Sequence, residues 1–140
     1  MAGTGYVRGK ERVTVSLGAS IIVAPPDSIT ELIDSGAIDN MGADITSAVL
    51  DIRDQTSISV ELNVDNTDAV GEFYVQVSNS QVNWDNVTWQ ESGLDYIGVA
   101  AGVDILADMS NLPNAGFGYL RLFYDRTSGD GQLDAYVSIK

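Results

Sequence analysis

The sequence predicts an all-β fold: a single antiparallel β-sandwich of jelly-roll type over residues 13–140, preceded by an extended N-terminal arm over residues 1–12. Three observations predict it. Apolar residues alternate with polar ones at a period of two in several short runs, which is how a strand with one face on a core is written. Turn-forming residues separate these runs at the spacing of an antiparallel two-sheet fold. At 140 residues the chain is the size of one domain, which buries roughly two-thirds of its unfolded surface and needs no staple.

The elements follow in order. Residues 1–12 hold glycines at 3, 5 and 9 and little apolar content, so they read as an arm. Val13, Val15 and Leu17 alternate with Thr14 and Ser16 in a strand pattern, and a second apolar strand, Ala19 to Ala24, stops at Pro25-Pro26 because proline cannot donate to a ladder. Asp27 to Ile33 fits two descriptions equally. Ser28 and Glu31 have the spacing of a capping box for a short helix, and the same residues suit a loop with a strand turn. Ile45 to Ile52 is a core strand. Ile58, Val60, Leu62 and Val64 form the cleanest amphipathic strand, and Phe73, Val75 and Val77 form the next, with Asp65-Asn66-Thr67-Asp68 as the turn between them. Asn79 to Asn86 is polar and reads as a loop. Tyr96 to Ala101 and Asp104 to Met109 are further strands, the second ended by the run Ser110 to Asn114. The last stretch carries the most regular pattern. Leu120, Leu122 and Tyr124 share one face of a strand, Leu133, Ala135, Val137 and Ile139 share one face of another, and Ser128-Gly129-Asp130-Gly131 turns the chain between them as a hairpin.

Composition narrows the function. The chain has neither cysteine nor histidine, which removes disulfides, Ser-His and Cys-His nucleophile systems and nearly all zinc sites. Its 20 acidic residues are scattered through loops and outward strand positions, so no glycosidase dyad is marked out and no enzyme activity is expected. A net charge of −13 argues against nucleic acid as a partner. No apolar run approaches the ~20 residues that cross a bilayer, and no basic-then-apolar leader begins the sequence, so neither membrane nor the general secretion route is expected. The charge is uneven. Arg8, Lys10 and Arg12 against Glu11 give residues 1–18 a net of +2, and the remaining 122 residues carry −15.

Candidate residues come with competing explanations. Trp84, Trp89 and Tyr96 are the residue types of a glycan-stacking platform, and equally of a core cap at one end of a sandwich. Asp125, Ser128 and Asp130 offer calcium oxygen ligands, as does the Asp65 to Asp68 turn, yet they lack the alternating ligands and bidentate glutamate of an EF-hand; turn chemistry explains both, and no metal or other cofactor is assigned. Tyr119, Arg121, Phe123 and Tyr136 lie on the polar but aromatic second face of the last two strands, which is a solvent face or a contact surface with another chain. Arg8, Lys10 and Arg12 suit a negatively charged neighbouring protein.

Two stretches carry a resemblance: FYVQVSNSQVNW, Phe73 to Trp84, and LPNAGFGYLRLFYDRTSGDGQLDAYVSIK, Leu112 to Lys140. Together they resemble a group of small tailed-bacteriophage virion proteins that carry a strand and loop like VQVSNDGxNW followed by a hairpin like LPFKYLRLxYTRTSGTGTLxAxISGK. The sequence departs from that pattern at Ser80-Gln81, where an Asp-Gly turn is usual, and at Asn114 to Gly118, which is longer and richer in glycine. The resemblance implies a β-sandwich structural component of the particle, such as a decoration, cement or tail protein; the expected role is a decoration or cement protein on the capsid surface, made in the host cytoplasm, with a carbohydrate- or receptor-binding module of a phage tail or adhesion protein as the alternative. The resemblance further implies the major capsid protein or another virion protein as partner and a homotrimer as the assembly.

Overall fold

The computed structural model describes residues 21–90, 92–113 and 116–140. The arm with Arg8, Lys10 and Arg12, the Val13 to Leu17 strand and the start of the Ala19 to Ala24 strand lie outside the described residues. Eleven strands are described: β1 (Ile21–Ile22), β2 (Ile29–Ile33), β3 (Ile45–Thr46), β4 (Val49–Asp51), β5 (Ser57–Asn66), β6 (Val70–Ser78), β7 (Asp85–Asn86), β8 (Ile97–Val99), β9 (Ile105–Pro113), β10 (Tyr119–Ser128) and β11 (Gly131–Ile139). No helix occurs among the described residues. The strands form two sheets and no closed barrel. One sheet has seven strands in the order β1-β4-β10-β6-β7, with β3 also on β10 and β8 also on β6; the other has four, in the order β2-β11-β5-β9.

Period-two alternation determines which residues meet. Ile58, Val60, Leu62 and Val64 of β5 and Leu133, Ala135, Val137 and Ile139 of β11 are buried, as are Phe73, Val75 and Val77 of β6 and Leu120, Leu122 and Tyr124 of β10. These residues from both sheets belong to one apolar cluster, joined by Met41, Leu50, Ile52 and Met109. The predicted core faces of these four strands are therefore the observed ones.

Three expectations change. The Asp27 to Ile33 segment is strand and not helix: β2 pairs with β11 at Thr30↔Val137, and the Ser28 hydroxyl donates to the Pro25 carbonyl instead of capping a helix. The Ile45 to Ile52 run is split into β3 and β4 at Ser47, which takes over part of the ladder. Its N–H donates to the Leu122 carbonyl, and its hydroxyl accepts the Leu122 N–H at 2.8 Å. The largest change concerns the last two strands, which form no hairpin. β10 belongs to the seven-stranded sheet and β11 to the four-stranded one, so the loop between them crosses from sheet to sheet. The β5 to β6 turn does the same. The jelly-roll path expected from the sequence is not established by these strand orders.

The two crossings lie against each other. β6 pairs with β10 and β5 with β11, so the two arches close at one end of the molecule. There the Asp68 N–H donates to the Asp130 carbonyl at 3.0 Å, and the Asp130 N–H donates to the Asp68 carboxylate at 2.7 Å. Gly129 makes the approach possible. Its φ is +76°, and a β-carbon there would lie 2.0 Å from the Asp68 carbonyl oxygen. Asn66 ties the same end inward: its side chain accepts from the Ala69 N–H and donates to the Ala69 and Ala100 carbonyls.

Candidate functional site

The seven-stranded sheet turns its inner face to the core and carries a band of aromatic and arginine side chains on its outer face. Antiparallel pairing of β6 with β10 sets Phe123 opposite Tyr74 and Arg121 opposite Gln76, all on the outward phase of their strands and all half-buried. Loops add the rest. Trp84 arrives from the segment between β6 and β7, Tyr96 from the residue before β8, and Arg53 from just beyond β4.

The contacts fix these side chains in place. The Arg121 guanidinium lies 4.3 Å from the centre of the Trp84 ring, and its Nε donates to Gln76 Oε1 at 2.8 Å. Burial lowers the Arg121 pKa from its ordinary value, as expected for a cation partly removed from water. The Tyr74 ring stacks on Phe123 with centroids 6.2 Å apart and tilts against Tyr96 at 6.1 Å. The Tyr74 hydroxyl donates to Glu72 at 2.5 Å, and this bond, with burial and the nearby carboxylate charges, pushes its pKa up to about 12. At the other end of the band Arg53 forks onto the buried Asp51, Nε to Oδ1 at 3.1 Å and Nη2 to Oδ2 at 2.8 Å, with its guanidinium 5.5 Å over the Tyr119 ring.

The structure redistributes the residues singled out from sequence. Tyr119, Arg121 and Phe123, expected as contact residues, share one face with Trp84 and Tyr96, expected as platform residues. Trp89 does not join them. It is 1% exposed and packs on Phe73 in the core, with centroids 6.2 Å apart, because the segment bearing it folds inward beside β8. Tyr136 is also separated, since β11 lies in the other sheet and its outward side points the opposite way. Tyr74, Gln76, Glu72 and Arg53 were missed. Tyr74 and Gln76 stand on the outward phase of a strand read correctly, but only the pairing with β10 shows what they touch.

The four-stranded sheet has an acidic outer face. Tyr136 is opposite Glu31 on β2 and opposite Glu61 on β5, and Glu61 is opposite Asp108 on β9, which makes one row across all four strands. Burial first, then the neighbouring Asp34 and Asp134 charges, raises the Glu31 pKa, while its hydrogen bond from Tyr136 opposes the rise and pushes the Tyr136 pKa up. A shallow depression of about 530 Å³ lies along this row, lined by Ile29, Ser59, Glu61, Asn63, Asp108 and Tyr136 among others. The carboxylates of Glu31, Asp34 and Asp134 come within 4.8 Å of one another, with Asp134 engaged by the Ser35 N–H and hydroxyl. Asp130, weighed from sequence as a calcium ligand, instead has its backbone joined to Asp68 in the arch contact, and its carboxylate accepts the Gly131 N–H.

No family model matches this chain, and no curated protein matches it. A solved structure, that of the SPBc2 prophage-derived protein YomS, aligns over 85% of this chain and 98% of its own, with a TM-score of 0.52 and 8% sequence identity. At that identity the likeness is one of fold.

Proposed function

We propose that this protein is a non-enzymatic β-sandwich component of a tailed-bacteriophage virion, a homotrimeric decoration or cement protein that binds across adjacent capsid subunits. The observation that carries this reading is the band on the seven-stranded sheet. A sheet with one face committed to the core has no structural need for Trp84, Tyr74, Tyr96, Tyr119, Phe123 and Arg121 on its other face. Aromatic residues and arginine are the types enriched where proteins meet, and here they are already held in position, which lowers the entropy lost on contact. The resemblance of the Phe73 to Trp84 and Leu112 to Lys140 stretches to phage virion proteins, and the fold shared with a protein described as prophage-derived, support the viral setting. Without histidine or cysteine, Ser-His and Cys-His nucleophile systems have no residues to use. The glycan-platform reading is weakened by Trp89 in the core and by the Arg121 guanidinium over the Trp84 ring.

The test is co-sedimentation with heads stripped of this protein. Wild type should rebind, and Trp84→Ala/Phe123→Ala should lose most of its occupancy while keeping its melting temperature within a few degrees. Equal occupancy would remove the band from the contact, and no sedimentation of wild type would end the decoration reading.

A further inference from the structure

The geometry points to a docking site for a basic strand on the outer face of the four-stranded sheet, and the occupant is the Arg8 to Arg12 segment of a second copy of this chain. Glu31, Tyr136, Glu61 and Asp108 stand in one row across β2, β11, β5 and β9, and no arginine or lysine lies on these strands. Strands in a sheet are about 4.8 Å apart, so the row spans three steps, about 14 Å. Arg8, Lys10 and Arg12 are two residues apart, so in an extended segment they share one face. At about 3.4 Å per residue they span about 14 Å as well. The period and the length of the cations therefore match those of the row. Ile29 and Leu106, 71% and 75% exposed, flank the row with apolar surface that a docked segment would cover.

The occupant is the arm of a neighbour because the multi-copy virion reading sets copies side by side, and β1, the first described strand of the chain itself, lies on the edge of the other sheet. Occupation by the chain's own arm would leave the wild type monomeric at low salt. Each copy thus carries a cationic donor and an anionic acceptor on different surfaces, a head-to-tail contact that closes into a ring where the rotation permits. The inference adds a subunit contact to the multi-copy virion reading and rests on it, but its test uses no particle, so the two fail separately.

Two variants test it: Arg8→Glu/Lys10→Glu/Arg12→Glu, and Glu31→Lys/Glu61→Lys/Asp108→Lys, with circular dichroism to verify folding of each. Sedimentation velocity at low salt should show wild type self-associating and each variant alone associating at least about tenfold more weakly, the scale set by three exposed ion pairs. Mixing the two variants makes both surfaces complementary again and should restore association. Should the lysine variant fail to fold, Glu31→Gln/Glu61→Gln/Asp108→Asn replaces it, and loss of association with the wild-type arm is the expected result. Failure of the mixture to associate overturns the proposal, as does a wild type that stays monomeric at low salt, or association that none of the substitutions alters.

Discussion

Individual side chains on the aromatic band are tuned by their neighbours, and Tyr74 shows this most directly. Its hydroxyl donates to Glu72, and ionising it would put two negative charges in contact, so its pKa is pushed up to about 12. A folded-state pKa above the unfolded value of about 10 means that the contribution to stability is complete below pH ~10 and is lost as pH rises towards 12. Ultraviolet titration should show Tyr74 among the late-ionising tyrosines, with Tyr124, raised by burial, and Tyr136, raised by its hydrogen bond to Glu31. Glu72→Gln should move Tyr74 down towards the ordinary range and leave the others in place; an unchanged titration would deny the Glu72 bond its role. Leu122 gives the matching core case. It is fully buried, so Leu122→Ala should destabilise the domain by about 2 to 5 kcal/mol in chemical denaturation. Leu122 was legible in the sequence because alternation alone assigns it to the core face, whereas for Tyr74 alternation marks the outward face and not the contact with Glu72. Trp89 was not legible, since an irregular segment has no period from which its direction can be read.

At the scale of elements, the arches decide most of what the sequence left open. The Ser128 to Gly131 turn was recognised as a turn, but glycine and aspartate in a loop look alike whether the next strand returns beside its predecessor or passes into the other sheet. What separates the two is a contact distant in sequence, Asp68 with Asp130. Gly129→Ala is the sharpest probe. The added methyl would strike the Asp68 carbonyl, and the left-handed backbone alone costs a β-carbon about 1 to 2 kcal/mol. The melting temperature should therefore fall more than for alanine at Gly36, whose φ is +62° but which has nothing within 4 Å of an added β-carbon. Equal effects at the two sites would show that the arches are not pressed together. β2 was half-legible: its capping residues were compatible with a helix, and pairing with β11 settled the matter in favour of strand.

For the whole molecule, the uneven charge was plain in the sequence, while its arrangement was not. The four-stranded sheet collects carboxylates on its outer face, and the other sheet collects rings and guanidinium groups, so the two outer surfaces differ in kind. Deleting residues 1–12 removes no member of the described core and should leave the melting temperature within a few degrees of the full-length value. The same deletion should weaken attachment to heads and make what remains less sensitive to salt, because the screened portion of the attraction has gone. Loss of folding on deletion would mean that the arm completes the domain.

The last two strands also bear on when this protein becomes a protein. β10 lies between β4 and β6, and β11 between β2 and β5, so the segment Tyr119 to Lys140 supplies an interior strand to each sheet. Until the ribosome has released that segment, the earlier strands have no partner between them and their apolar sides remain wet. Folding of the domain must therefore wait until that segment has been made, and with pairings this distant in sequence it will be slow for a domain of this size. A premature stop near residue 118 yields no smaller version of the fold, only an acidic, unfolded chain exposed to proteases.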